Sequence, residues 1–270
     1  MIVTVAQRKG GCGKTTIAAS LVAAAVSEHI QNASIDLDSQ GTFTRWALGT
    51  DPALELLEDQ TAAALVFPPS FVTMKTPCPP DGKTWDPREW FDVVAPKCFI
   101  ETHRPGHSHA GAAWRFHPEH HERLLLEFVP APLVVVDCAP DISQPLTRSA
   151  LSQTEFVFAP VVLEPWVMGS CEYLIHELHE LNRSDLIHEK RIRFVVNMRS
   201  RSKLQDQLER DLNKRFPGMV SKTTLARSVA VAECTREPNL LTEKTALFKC
   251  GVALLNEMAK HLNRLTKAAA

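Results

Sequence analysis

Apolar runs alternate with amphipathic segments along most of this chain. The strand-like runs lie at 2–6, 33–37, 132–137, 154–160 and 191–197. Helical patterns lie between or after them, at about 15–29, 119–128, 144–152, 167–182 and 201–215. Because parallel strands are buried on both faces and need helical crossovers, this alternation predicts an α/β fold: a mostly parallel, twisted sheet with helices on both faces. The length of 270 residues fits a single domain over 1–270.

Residues 50–130 break this alternation. They hold most of the chain's prolines and six of its histidines: His103, His107, His109, His117, His120 and His121. The stretch is too long for a structureless loop, so we expect an irregular excursion with a short strand near 92–100 and a helix near 53–65. A metal site is conceivable, but no cysteine or carboxylate completes a ligand pattern, which favours a polar surface.

Composition places the chain among soluble cytoplasmic proteins. Its seven cysteines are scattered and form no C-x-x-C pair, which indicates free thiols. We expect no signal peptide, because the first strand begins at Ile2, and no apolar run approaches the roughly 20 residues that span a bilayer. The net charge is −1, yet residues 183–227 carry +7, which indicates a basic face.

A glycine-rich loop joins the first strand to the first helix. In this setting, backbone N–H groups and the helix N-terminus bind phosphate. Lys14 can reach the β- and γ-phosphates of a nucleotide, and the Thr15 hydroxyl is placed to bind Mg²⁺. The sequence therefore predicts a nucleotide-phosphate site formed by Gly10, Gly11, Cys12, Gly13, Lys14, Thr15 and Thr16.

The loop has Arg8 where an ordinary G-x-x-x-x-G-K-[ST] motif has glycine, and it begins with a second lysine, Lys9. The form K-G-G-x-G-K-T-T resembles the deviant Walker A motif of the ParA/MinD family of P-loop ATPases. Three later segments resemble that family's motifs in the required order: 33–41 (D-x-D-x-Q-G), 132–140 (D-C-P-P, with Ala139 for the first proline) and 225–233 (R-S-V). The resemblance covers about 1–50 and 130–265, and is strongest to small ParA partition ATPases.

The resemblance implies the roles of the site residues. Lys9 would reach across an ATP-dependent homodimer to the partner's nucleotide. Asp38 would orient the attacking water and join the metal shell, and Asp137 would hold Mg²⁺ together with Thr15. Thr16 would contact the α-phosphate, and Asn197 would contact the nucleotide. The implied cofactors are ATP and Mg²⁺.

The resemblance also implies partners. Non-specific DNA would bind the basic face, and a ParB-like or other cargo adaptor would stimulate hydrolysis in a nucleoid-associated cycle. The candidate phosphate contacts are Arg199, Arg201, Lys203, Arg210, Lys214, Arg215, Lys222 and Arg227. On helix 201–215, the spacing of Leu204, Leu208 and Leu212 predicts one buried face with the basic residues outward.

Three other functions stay open at this point. The first is a MinD-like membrane-cycling ATPase; the segment from Thr245 to Lys267 predicts an amphipathic helix, but the tail after it lacks bulky apolar groups. The second is an electron-transfer reductase like the nitrogenase iron protein, for which Cys98 and Cys138 are the only roughly placed cysteines. The third is a nucleotide-gated scaffold with negligible turnover.

Overall fold

A six-stranded parallel sheet forms the centre of the protein. The computed structural model describes residues 1–38, 40–43, 46, 131–236 and 241–269, and it gives the backbone alone at 92–94, 235–236 and 268–269. The strands are β1 (Ile2–Val5), β2 (Asn32–Asp36), β3 (Asp92–Val94), β4 (Leu133–Asp137), β5 (Phe156–Val162) and β6 (Ile192–Asn197). Their order is β3-β2-β4-β1-β5-β6, with every pair parallel.

Helices cover both faces of this sheet. Within the described residues they are α1 (Lys14–Ser27), α2 (Pro145–Gln153), α3 (Val167–Glu180), α4 (Ser184–His188), α5 (Lys203–Arg215), α6 (Val229–Arg236) and α7 (Ala246–Ala269). Successive strand residues serve opposite faces. In β4, for example, Val135 packs with α1 and α7, whereas Val134 and Val136 pack with α2 and α3. The predicted α/β fold is confirmed.

The C-terminal helix packs directly on α1. Gly251 sits at the crossing, where a Cβ would lie only 1.9 Å from the backbone oxygen of Ser20. The apolar side of α7, which includes Leu247, Leu254 and Met258, is buried. None of the described helices has the length and apolar character needed to cross a membrane.

Most predicted elements match the observed ones to within about two residues. The short strand expected near 92–100 appears as β3, whereas the helices expected near 53–65 and at 119–128 lie outside the described residues. The prediction of a fully buried leucine stripe on α5 was wrong. Leu212 is buried, but 58% of Leu204 is exposed, because the first turn of α5 extends past the core cluster that receives Leu208 and Leu212.

Candidate nucleotide-binding site

The strand register brings the predicted motifs together at one edge of the sheet. Val5, the last residue of β1, is level with Asp137 of β4, and Asp137 is level with Asp36 of β2. Backbone hydrogen bonds join the residues just after these ends: Cys138 N–H donates to the Val5 carbonyl at 3.1 Å, and Leu37 N–H donates to the Asp137 carbonyl at 2.8 Å. The three strands therefore end at the same level. This is the carboxyl edge of the sheet, where α/β proteins bind ligands.

The glycine-rich loop is held in shape by Asn197 from the end of β6. Gly13 has a φ of 95°, and a Cβ there would lie 2.0 Å from Asn197 Nδ2. That amide nitrogen donates to the Cys12 carbonyl at 2.8 Å, while Asn197 Oδ1 accepts from Met198 N–H at 2.8 Å. Glycine is therefore required at position 13 both by its backbone conformation and by the approach of Asn197.

Lys14 opens helix α1 and is almost fully buried. Its ammonium group lies 3.4 Å from the Lys9 carbonyl, so it folds back over the loop. The positive end of the α1 dipole points at the same place, and no acidic residue in the first turn offsets it. The loop and Lys14 thus form a concave, positively charged site suited to phosphate.

A threonine and an aspartate meet beside Lys14. Thr15 Oγ1 donates to Asp137 Oδ2 at 2.7 Å, and the other carboxylate oxygen of Asp137 has no hydrogen-bond partner within the described part of the chain. Burial and the neighbouring Asp36 raise the pKa of Asp137 well above its ordinary value. A buried carboxylate with an unused oxygen beside a threonine hydroxyl fits Mg²⁺, which binds through few side chains together with water and phosphate.

Asp38 lies in the turn after β2, half-buried and close to this pair. Its N–H donates to Asp36 Oδ1 at 3.0 Å, and its own Oδ1 accepts from Gln40 N–H at 3.0 Å. Its carbonyl accepts from Gly41 N–H at 2.8 Å. The turn therefore fixes the Asp38 carboxylate on the β2 side of the loop. Asp36 itself is fully buried.

Lys9 points away from Lys14 and pairs with Glu164 in the segment between β5 and α3. About two fifths of each side chain is exposed, so water screens this ion pair. Sequence reasoning did not find Glu164, because it lies 155 residues from Lys9 along the chain. The two lysines of the loop thus occupy different surroundings, one buried over the loop and one at the surface.

A family model described as the CobQ/CobB/MinD/ParA nucleotide binding domain matches residues 3–241. The chain belongs to this family. A comparison with curated proteins gives no match.

Several solved structures share its fold at low sequence identity. A Borrelia burgdorferi B31 protein described as a plasmid partition protein, bound to AMPPNP, has a TM-score of 0.69 at 16% identity, over 96% of this chain and 98% of that one. MinD from Aquifex aeolicus gives 0.63 at 13%, over 96% of each chain. Cobyrinic acid a,c-diamide synthase from Mycobacterium smegmatis, with ADP and magnesium, gives 0.62 at 19%, over 97% and 95%.

The R-S-V segment of this family member lies against the end of β6. Leu225 N–H donates to the Val196 carbonyl at 2.9 Å, and Arg227 N–H donates to the Arg199 carbonyl at 3.1 Å. This pairing places the segment next to Asn197. The candidate site is thus bordered by the glycine-rich loop on one side and by the segment that pairs with the end of β6 on the other.

Two of the predicted DNA contacts are held in ion pairs within the protein. The Arg199 guanidinium pairs with Asp206 and donates to Glu209 at 2.9 Å. Arg215 likewise bridges to Glu172 of α3 at 2.8 Å. The remaining predicted contacts are exposed and form no ion pair with another described residue: Arg201, Lys203, Arg210, Lys214, Lys222 and Arg227.

Cys138, the described member of the predicted cysteine pair, gives no support to an iron–sulfur centre. Cys138 is fully buried, and burial raises its pKa far above the ordinary thiol value. A cluster shared by two subunits needs thiolates at the surface. The other predicted cysteine, Cys98, and the six clustered histidines lie outside the described residues.

Proposed function

We propose that this protein is a ParA-type ATPase that binds ATP with Mg²⁺, dimerises around the nucleotide and binds DNA without sequence preference. The observation that carries the proposal is the pair of loop lysines in separate surroundings. Lys14 is buried over the phosphate loop, whereas Lys9 lies at the surface in an ion pair with Glu164 that water screens. A synthase that shares the fold also binds nucleotide and magnesium, so the second lysine, and not the fold, supports the choice.

The proposed division of labour combines the family resemblance with the positions of the residues at the site. The loop backbone and Lys14 bind the phosphates, and Thr16 on the first turn of α1 contacts the α-phosphate. Thr15 and Asp137 would hold Mg²⁺, which when bound neutralises charge on the β- and γ-phosphates. Asp38, fixed by its turn, orients the attacking water. Asn197 acts on the nucleotide by holding the loop in shape, in addition to any direct contact.

Lys9 would supply positive charge to the partner's nucleotide, as an arginine finger does between two different proteins. For that it must leave Glu164. Because the pair is exposed, breaking it costs at most about 1 kcal/mol, which the charge of a nearby phosphate easily exceeds. ATP would therefore favour the dimer, and ADP, which lacks the γ-phosphate, would favour the monomer.

The exposed basic residues on α5 and near the R-S-V segment are proposed to bind DNA phosphates. Such contacts carry no base recognition and weaken steeply with salt. A cargo-bound adaptor of the ParB kind would stimulate hydrolysis and release the protein from DNA. The site of action would be the nucleoid. A membrane-cycling role has less support, because the apolar side of α7 is used in packing.

The proposal is tested by measuring molecular mass with ATP, ADP and a non-hydrolysable ATP analogue, each with Mg²⁺. The wild type should be a dimer with ATP or the analogue and a monomer with ADP. Lys14→Ala should abolish nucleotide binding, Lys9→Ala should bind nucleotide without dimerising, and Asp38→Ala should dimerise with ATP but not hydrolyse it. A wild type that binds ATP and stays monomeric at all concentrations would refute the proposed dimer.

A further inference from the structure

A cleft of about 540 Å³ lies beside the glycine-rich loop, on the side away from Asp38. Its walls come from the loop, the end of β5 and the start of α3, and its lining includes Lys9, Pro160, Val162, Trp166 and Gly169. The lining includes Cys12 of the loop but neither Lys14 nor Thr15. Its volume falls within the range that accepts a large side chain or a small ligand.

Trp166 stands at the mouth of this cleft with 76% of its side chain exposed. Single exposed apolar residues are ordinary, so exposure alone indicates nothing. What distinguishes Trp166 is that it is the residue before α3, two positions from Glu164, in a segment held to the loop by the Lys9–Glu164 pair. A large apolar side chain is thus presented on the same surface as the lysine expected to contact a partner.

A second contact, made by Arg8, connects the loop to α3. Arg8, which replaces the usual glycine of the motif, lines the cleft and places its guanidinium 4.2 Å from the ring centroid of Tyr173 in α3. This cation–π contact is a second contact between the loop and the walls of the cleft. The Lys9–Glu164 pair joins the loop to the segment before α3, and the Arg8–Tyr173 contact joins it to α3 itself. The second contact does not involve Lys9, so it does not depend on the ion pair that Lys9 gives up in the proposed dimer.

We propose that Trp166 is an anchor of the ATP-dependent dimer and that it inserts into the cleft of a second copy of this chain. The inference rests on the proposed function, in which Lys9 crosses to the partner. Because Lys9 and Trp166 line one cleft, a partner close enough to receive the lysine also covers the tryptophan. In a two-fold dimer the same surface faces itself, so each copy supplies one tryptophan and one cleft.

Loss of the Trp166 side chain should weaken the proposed dimer strongly. A tryptophan buries about 150–250 Å² when it is covered. Tryptophans in central, water-free pockets are the commonest residues whose truncation weakens an interface strongly. Replacing Trp166 by alanine should therefore weaken the dimer by about 30-fold or more.

The first test measures the dimer dissociation constant by sedimentation, with a non-hydrolysable ATP analogue and Mg²⁺. Trp166→Ala should raise it by about 30-fold or more, and Trp166→Phe should recover a large part of the loss. The control is Leu204→Ala, which removes another exposed apolar side chain, 58% exposed, from a different surface; it should stay within twofold of wild type. A Trp166→Ala dimer within twofold of wild type would overturn the inference while leaving the proposed function intact.

The second test follows quenching of fluorescence by acrylamide. The chain has five tryptophans, so the difference between wild type and Trp166→Phe isolates the signal of Trp166. The analogue should shield Trp166 at protein concentrations that give dimers and leave it accessible in dilute, nucleotide-bound monomers. Shielding in the monomer, or by anionic lipid vesicles with dimerisation unchanged, would overturn the inference. A wild type that never dimerises would overturn the proposed function as well.

Discussion

The amide of Asn197 is predicted to control the shape of the phosphate loop. Only 3% of this residue is exposed, and its side chain joins the Cys12 carbonyl and the Met198 N–H, each at 2.8 Å. Asn197→Ala removes both partners at once. An unpaired buried polar group costs about 1–3 kcal/mol, so the variant should lose about 2–6 kcal/mol when no water replaces the amide.

Thermal unfolding and titration with an ATP analogue measure this loss. With about 2–4 °C of melting temperature per kcal/mol for a protein of this size class, the midpoint should fall by at least about 4 °C. The affinity for the analogue should fall at least about tenfold, because re-forming the loop on binding costs about 1.4 kcal/mol or more. Asn197→Asp should be no better, since it places a carboxylate oxygen against the Cys12 carbonyl.

The matched control is Asn213→Ala on helix α5. Asn213 also donates through Nδ2 to a backbone carbonyl, that of Glu209 at 2.9 Å, but at an exposed position where water can replace it. We expect its stability to stay within about 0.5 kcal/mol of wild type. If Asn197→Ala matched this control in both melting temperature and nucleotide affinity, Asn197 would not be the residue that shapes the loop.

Three further variants probe other parts of the account. Gly251→Ala should lower the free energy of urea unfolding by about 1–3 kcal/mol, because its Cβ would meet the α1 backbone. Gly169→Ala in α3, where a Cβ meets nothing within 4 Å, should raise that free energy instead, and equal effects would contradict the close helix crossing. Burial lowers the pKa of His261, so the wild type should lose stability as pH falls through about 6.5. His261→Gln should lose less stability between pH 7.5 and pH 5.5, measured by urea unfolding. Identical losses would exclude this histidine as the cause of the pH dependence. Glu164→Gln frees Lys9 and should tighten the ATP-dependent dimer by up to about fivefold in sedimentation, and a weaker dimer would show that the pair supports the interface instead.

Local motifs were sufficient to predict which residues meet at the centre of the candidate site. The loop, Thr15 and Asp137 follow from short sequence patterns, and the pattern of apolar runs places them at the ends of parallel strands. The structure brings Thr15 and Asp137 to 2.7 Å although they are 122 residues apart, because β1 and β4 are neighbours in register.

The long-range contacts that hold the loop could not be predicted from local motifs. Asn197 reaches Cys12 across 185 residues, and Lys9 reaches Glu164 across 155 residues. Neither pair has a characteristic spacing, because the strand order alone decides which loop ends meet. The exposure of Leu204 was missed for a related reason: periodicity shows which side of a helix is apolar, but not how far the core beneath it extends.

The most direct test of the central claim is binding to random-sequence duplex DNA with ATP, with ADP and without nucleotide, across a series of salt concentrations. We expect binding with ATP only, with an affinity that falls steeply as the salt concentration increases. The affinity should also drop when Lys203 and Lys222 are both replaced by alanine. Equal binding in all three nucleotide states, or none in any of them, would contradict a nucleotide-switched DNA-binding ATPase.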